Sequence, residues 1–264
     1  MKTSLIITTY NWKEALEAVL NSVLLQTRLP DEVVIADDGS RADTAKLISK
    51  FQSSFPIPLI HSWQEDDGFR ASMSRNRAIA KSSGDYIIII DGDIVLNKHF
   101  IQDHMLNAKV GWFIQAGRVS LGKEITATHF ASGQLPTLFS SDIKNRKNLI
   151  WNPVFSKIFS RKWNSSKSTR SCNMSFWRND VFSINGFNED FVGWGREDSE
   201  FVHRLLNSNL NRLYLKFAGI GYHLYHNENS REQLTQNDKI LENTISNSLK
   251  RCENGLDKHK ENIS

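Results

Sequence analysis

Tyr86-Ile-Ile-Ile-Ile-Asp-Gly-Asp93 decides the fold. Its four isoleucines are not interrupted by polar residues, so the segment reads as a strand buried on both faces, the habit of a central strand in a mostly parallel sheet. Asp91 and Asp93 then flank Gly92. At strand spacing their carboxylates can share one side of the chain, beyond the sheet's carboxyl edge, where open α/β sheets bind ligands. Two acids this close repel one another, and a divalent cation would relieve that; hard oxygen ligands suit Mg²⁺ or Mn²⁺. The competing reading is an Asp-Gly turn between strands, with Asp93 capping the next element.

Upstream of this strand, Ser4-Leu-Ile-Ile-Thr-Thr is rich in β-branched residues and reads as a first strand. Helical spacing comes next at Ala15, Leu16, Val19, Leu20, Val23 and Leu24. A second strand, Glu32-Val-Val-Ile-Ala, ends in Asp37-Asp38-Gly39-Ser40 and leads to a helix over Thr44 to Phe51. A third strand is expected over Ile57 to His61 and a helix over Ala71 to Ser82. This strand–helix alternation implies a right-handed parallel sheet. No G-x-G-x-x-G or P-loop pattern comes after the first strand, so phosphates must be held by something other than a glycine cradle. Arg75 and Arg77, two apart on a helix, point in different directions; one of them can offer a guanidinium to a diphosphate.

Downstream, His99 to Leu106 reads as a helix and Gly111 to Ala116 as a strand. From about Ser120 to Thr169 the pattern breaks into a polar, basic connection with scattered aromatics, expected to be partly helical and to cover the substrate groove. Between Lys123 and Arg170 there are nine Lys/Arg against two acids, within a net charge of +4. That excess suits an anionic partner or the inner membrane surface; the competing reading, and the commoner fate of a charge run, is a solvated basic loop. Of 264 residues, 39% are hydrophobic, and no run approaches a membrane span. Cys172 and Cys252 have no pairing rhythm, which fits free thiols in a cytoplasmic protein.

The second half supplies further polar clusters. Asn173 to Trp177 reads as a strand and Val181 to Ile184 as a short helix. Gly193-Trp-Gly-Arg-Glu-Asp-Ser-Glu200 opens a helix over Phe201 to Leu206. Glycines beside Trp194 free its indole to stack on a sugar face, and Glu197 and Asp198 gain from the helix N-terminus. The alternative is a charged helix start with a core Trp. In His223-Leu-Tyr-His226 the histidines can both reach one metal while Leu224 and Tyr225 anchor the segment; imidazole with carboxylate suits Mn²⁺ better than Mg²⁺. In the polar tail, Ile240, Leu241, Ile245 and Leu249 suggest an amphipathic helix, with Lys258 to Ser264 fraying.

The openings Thr8-Thr9-Tyr10-Asn11, Asp37-Asp38-Gly39-Ser40, Arg75-Asn76-Arg77 and Asp91-Gly-Asp93 resemble those of family 2 glycosyltransferases with a GT-A fold. Gly193-Trp-Gly-Arg-Glu-Asp and His223-Leu-Tyr-His226 resemble the carboxyl-terminal segment of chondroitin-polymerase-type transferases and β-1,4-galactosyltransferases. The resemblance covers about residues 3 to 230. It implies a mixed, mostly parallel central sheet flanked by helices, with a C-terminal acceptor-binding subregion.

By the same resemblance Asp38, with Asp37, holds the uracil or ribose of a UDP-sugar, Thr9 and Tyr10 line the nucleotide, and Asp91 contacts the ribose or donor sugar. Asp93, His223 and His226 hold the metal, Trp194 and Glu197 hold the acceptor, and Asp198 is the catalytic base. Arg196 stands where the galactosyltransferase pattern has another Gly, and a more cationic acceptor pocket is expected.

These roles fit inverting transfer. A base takes the acceptor's proton, the metal and Arg75 or Arg77 stabilise the departing diphosphate, and no covalent intermediate is needed. The expected division is a nucleotide-sugar half over 1–119, a basic lid over 120–170, an acceptor and metal half over 171–230 and a helical tail over 231–264. The expected partners are a UDP-sugar and a glycan or glycolipid of a bacterial surface polysaccharide or lipooligosaccharide, with no nucleic acid. A sugar-nucleotide-forming nucleotidyltransferase would want a Gly-rich basic loop that Thr8 to Trp12 does not supply. A non-catalytic glycan- or nucleotide-binding module gives no reason for the Glu197-Asp198 pair.

Overall fold

A computed structural model describes residues 1–167, 169–227 and 233–262. The elements run β1 (Thr3–Thr9), α1 (Lys13–Leu24), β2 (Glu32–Asp37), α2 (Ala42–Gln52), β3 (Leu59–Trp63), α3 (Ala71–Lys81), β4 (Tyr86–Asp91), β5 (Ile94–Leu96), α4 (Phe100–Asn107) and β6 (Trp112–Ala116). They continue with β7 (Arg118–Leu121), α5 (Lys123–Ser132), β8 (Ile143–Lys144), α6 (Pro153–Phe159), β9 (Arg161–Lys162), β10 (Asn173–Trp177), α7 (Arg178–Ser183), α8 (Glu197–Asn207), β11 (Asn211–Leu215), β12 (Gly221–His223) and α9 (Leu234–Ser246).

The main sheet has the order β3-β2-β1-β4-β10-β6-β11-β9. Strands β1 to β4 are mutually parallel, β10 runs against β4 and β6, and β11 is parallel to β6. The isoleucine strand is therefore interior, and each of its isoleucines is fully buried. Ile88 and Ile90 pack with Leu16, Val19 and Leu20 of α1, while Ile87 and Ile89 pack with Ala78 and Ile79 of α3 and Phe201 and Leu205 of α8. Burial on both faces is why the sequence shows no alternation there.

Some expectations shift. β3 starts at Leu59 rather than Ile57, because Pro58 has no N–H for the ladder and contributes only its carbonyl, to Val33 N at 2.9 Å. The basic connection holds α5 and α6, in keeping with its expected partial helicity, but also short strands. β7 and β8 join β5 and β12 in a second sheet of order β5-β12-β7-β8. Helix α9 packs back through buried Asn237 and Thr244 with half-buried Ile240 and Leu241 on the same face, and leaves Ile245 exposed. The tail beyond it does not fray at Lys258: a 3-10 turn over Leu256–Asn262 docks through His259, whose Nε2 meets Glu189 Oε1 at 2.7 Å. Residues 263 and 264 lie outside the described residues.

His104 on α4 is fully buried between Ser175 and Asn173. Asn173 spends its amide hydrogens on the Gly117 and Gly219 carbonyls, so its Oδ1 must accept from His104 Nε2–H, and Nδ1 accepts from the Ser175 hydroxyl. Burial lowers the imidazole to about 4. The unfolded chain takes that proton near pH 6.5, so this contribution to stability is complete above about pH 6.5 and falls as pH drops toward 4, by about 3 kcal/mol. Thermal midpoints measured across pH 4 to 8 should show that acid limb in the wild type, and His104→Gln should flatten it.

Candidate active site

The two acids after the isoleucine strand go to different partners. Gly92 allows this turn, since a Cβ there would meet the Thr8 carbonyl oxygen at 2.4 Å. The Asp-Gly turn and the polar cluster are thus one object. Asp91 Oδ1 accepts from Thr8 Oγ1 at 3.1 Å and faces Arg75 Nη2 at 3.4 Å. Asp93 faces away toward β12.

Antiparallel pairing of β5 with β12 sets Ile94 opposite His223, and the Asp93 carbonyl accepts from Leu224 N at 2.9 Å. That ladder carries both imidazoles to Asp93: His223 Nε2 and His226 Nε2 each lie 3.3 Å from Asp93 Oδ2 and 3.3 Å from one another. Asp93 Oδ1 is buried without a hydrogen-bond partner. Burial and the nearby Asp91 raise the Asp93 carboxyl well above the usual range, and burial with Arg118 holds His223 down at about 3. Two imidazole nitrogens and a carboxylate oxygen within 4.8 Å of one another fit a divalent cation, which would supply the positive charge that the buried Asp93 lacks. Trp12 meets the His226 ring edge-on at 6.0 Å, and α5 holds the segment through Thr126 Oγ1, which accepts from Tyr225 N at 2.9 Å. Leu224 is the buried anchor; Tyr225, expected to share that task, is exposed and is held through its backbone N–H instead.

Arg75, not Arg77, faces the sheet edge. It is buried on α3, and its Nη1 lies 3.6 Å from Glu197 Oε1 and 3.5 Å from Asp198 Oδ1. One guanidinium therefore ties Asp91 at the end of β4 to both acids at the start of α8. Asp198 Oδ2 accepts from Ser171 N at 2.9 Å, and its Oδ1 is buried without a hydrogen bond. Glu197 Oε2 accepts from Gly195 N at 3.1 Å. Burial and the Asp198 charge raise the Glu197 carboxyl. Cys172 sits beside this cluster, and burial lifts its thiol to about 12, which removes it as a nucleophile.

The Asp37-Asp38 loop is tightly built. Gly39 takes φ +93, and a Cβ there would sit 2.5 Å from Asp66 Cα. Asp37 is turned fully into the fold, against the expectation of direct donor contact: Oδ2 meets His61 Nε2 at 2.8 Å and Oδ1 accepts from Ser40 N at 2.8 Å. Asp38 accepts from Gln64 Nε2 at 2.6 Å and Arg70 N at 2.9 Å, and burial raises its carboxyl to about 6. Thr9 is buried, with its carbonyl accepting from Asp38 N, and the half-exposed Tyr10 donates its hydroxyl to Asp66 Oδ2 at 3.0 Å.

Trp194 is 41% exposed, between Gly193 and Gly195, both at positive φ. Arg196 also has a positive φ of 78°, which explains why a Gly would suit this position. Its guanidinium pairs with Asp238 of α9 at 2.5 Å, so the extra cationic character expected of the pocket is largely neutralised. No motif in the sequence singles out Arg118. Its strand places it beside Cys172, with Nη1 3.5 Å from Sγ, where its charge acts on Asp93 and His223.

Residues 4–183 match the model of glycosyl transferase family 2, and residues 155–227 match a model described as the N-terminal domain of galactosyltransferase. Relatives include the chondroitin synthase of Escherichia coli, 25% identical over 227 residues, covering 76% of this chain and 32% of that protein. Validoxylamine A glucosyltransferase of Streptomyces hygroscopicus subsp. limoneus is 28% identical over 233 residues, covering 76% and 47%. The chain thus spans between about a third and a half of the length of these relatives. Among solved structures, S. aureus TarS 1-349 in complex with UDP superposes with a TM-score of 0.63 at 17% identity, over 98% of this chain and 68% of that one. Mannosyltransferase PcManGT from Pyrobaculum calidifontis, in complex with GDP-Man and Mn²⁺, gives 0.59 at 16% identity, over 86% and 58%. The fold is GT-A.

Proposed function

The chain belongs to glycosyl transferase family 2, and from that premise we propose that it is a metal-dependent, inverting transferase moving a hexose or N-acetylhexosamine from a UDP-sugar to a glycan of a bacterial surface polysaccharide or lipooligosaccharide. The observation that carries this reading is Arg75, which joins Asp91 on the donor side to Glu197 and Asp198 on the acceptor side within one buried cluster. UDP as the nucleotide is supported by the UDP complex of TarS, and a polysaccharide acceptor by the chondroitin synthase relative.

In this reading Asp38, Thr9 and Tyr10 bind the nucleoside, with Asp37 acting indirectly by fixing the loop that presents Asp38. Asp91 orients the donor sugar with Arg75. Asp93, His223 and His226 would hold Mn²⁺ or Mg²⁺, which supplies charge stabilisation to the diphosphate when bound. The acceptor sugar stacks on Trp194, and Glu197, holding its proton, donates a hydrogen bond to it.

Asp198 accepts the proton of the attacking hydroxyl. As the new bond forms at the anomeric carbon, the bond to the diphosphate oxygen breaks on the opposite face and UDP leaves. The neighbouring guanidinium of Arg75, 3.5 Å from Asp198 Oδ1, fixes the carboxylate toward the acceptor hydroxyl.

Incubating the protein with Mn²⁺ and a panel of UDP-sugars and GDP-mannose tests the donor class. UDP release from one UDP-hexose at least about tenfold above the others and above GDP-mannose is expected, given that pocket contacts discriminate sugars by roughly 1–3 kcal/mol. Release of GDP alone would replace the donor assignment.

A further inference from the structure

Helix α6 is built inside out. Its inward side is polar: Asn152 caps it by accepting from Val154 N at 3.0 Å and Phe155 N at 2.9 Å, Ser156 is buried, and the Ser160 hydroxyl accepts from Lys216 N at 3.0 Å. Its outward side is Val154, Phe155, Ile158 and Phe159, between 45% and 65% exposed. A helix resting on a protein core shows the reverse arrangement, apolar inward and polar to solvent.

The outward residues form a shaped surface rather than loose side chains. Phe155, Phe159 and Phe217 pack against one another at centroid distances of 5.6 to 5.9 Å. Phe217 holds a positive φ of 56°, a costly conformation for a bulky residue, and its carbonyl accepts from Asn152 N at 2.9 Å to pin the loop against α6.

The segment that carries α6 has charge of one sign. From Ile143 to Asn179 the chain carries nine Lys/Arg and no Asp or Glu. Lys157, Arg161 and Lys162, within and just after α6, are all exposed. The patch also opens where the chemistry is. β11 runs parallel to β6 and, through β10, in the direction of β4, so Phe217 after β11 and Asp91 at the end of β4 leave the sheet at the same edge. Three strand spacings separate them, on the order of 15 Å.

We propose that α6 and the Phe217 loop form a membrane-docking surface that seats in the head-group layer of an anionic bilayer. Phe155, Ile158 and Phe159 enter the acyl boundary, and Lys157, Arg161 and Lys162 meet lipid phosphates. No helix among the described residues is long and apolar enough to cross a membrane, so the contact is interfacial. Charge argues against a second copy as the occupant, since face-to-face docking would oppose two basic surfaces.

Flotation with vesicles of phosphatidylcholine alone, and of phosphatidylcholine with phosphatidylglycerol, tests this without any sugar donor, so the outcome is separate from the transferase reading. The wild type should bind the anionic vesicles at least about tenfold more tightly than the neutral ones, and less so as salt rises. Phe155→Ser/Ile158→Ser/Phe159→Ser should lose about tenfold or more in binding to anionic vesicles, and Lys157→Gln/Arg161→Gln/Lys162→Gln should lose the preference for them. Both variants change exposed residues, and unaltered thermal midpoints would show them folded. Wild-type protein that stays with neither vesicle, or either folded variant floating like the wild type, would overturn the proposal. So would sedimentation revealing a wild-type dimer that the serine variant abolishes, which would assign the patch to a second copy.

Discussion

Asp198→Asn is expected to lower the rate of sugar transfer by about 10²–10⁴-fold, the range a positioned general base contributes. Asn keeps the shape, and its carbonyl oxygen can still accept from Ser171 N as Asp198 Oδ2 does at 2.9 Å. It cannot take a proton from an attacking hydroxyl. The loss should therefore fall on kcat, with UDP affinity within about twofold of wild type, because an interaction made only in the transition state leaves ground-state binding alone. Initial rates of UDP release with acceptor present, alongside UDP titration of the same preparation, separate the two. A variant with wild-type kcat would remove Asp198 from the chemistry and leave its Oδ1 only the structural pairing with Arg75.

His223→Ala/His226→Ala is expected to cut transfer by about 10²-fold or more at saturating donor, and excess Mn²⁺ should restore little of it. Both Nε2 atoms lie 3.3 Å from Asp93 Oδ2, and the double variant leaves a single carboxylate where the fold provides three ligand atoms. Since Leu224 anchors the segment independently of the imidazoles, the fold should persist. Rates measured over a Mn²⁺ series are the check: wild-type activity in the variant at any Mn²⁺ concentration would place the metal function elsewhere.

Much of the fold is dictated by local chemistry. The isoleucine strand, the first two strands and their helices declare themselves through burial pattern and spacing. Short elements do not. β5 and β12 have three residues each, too few for any period to register, yet their pairing is what joins Asp93 to residues far along the chain. The choice between Arg75 and Arg77 depends on how α3 is rolled against the sheet, which spacing alone leaves open; burial of Arg75 among three acids resolves it. Asp37 reads as a donor contact only through the family resemblance, and in the fold His61 and Ser40 hold it inward. Arg118 carries no motif at all and gains meaning only from the charges around it.

The basic connection over residues 120–170 illustrates a further limit. Its charge count points to an anionic partner, but the meaning of Phe155 and Phe159 depends on which side of a seven-residue helix faces the protein. Scattered aromatics in a sequence look like a weak core. Their exposure, 45% and 50%, identifies them as surface.

The central claim is that Asp93, His223 and His226 form one divalent-cation site beside the nucleotide. Counting Mn²⁺ bound per chain in the presence of UDP, from the loss of the free-ion electron paramagnetic resonance signal, tests it most directly. The account predicts a single tightly held ion for the wild type and none for His223→Ala/His226→Ala. Equal binding by both proteins would contradict it.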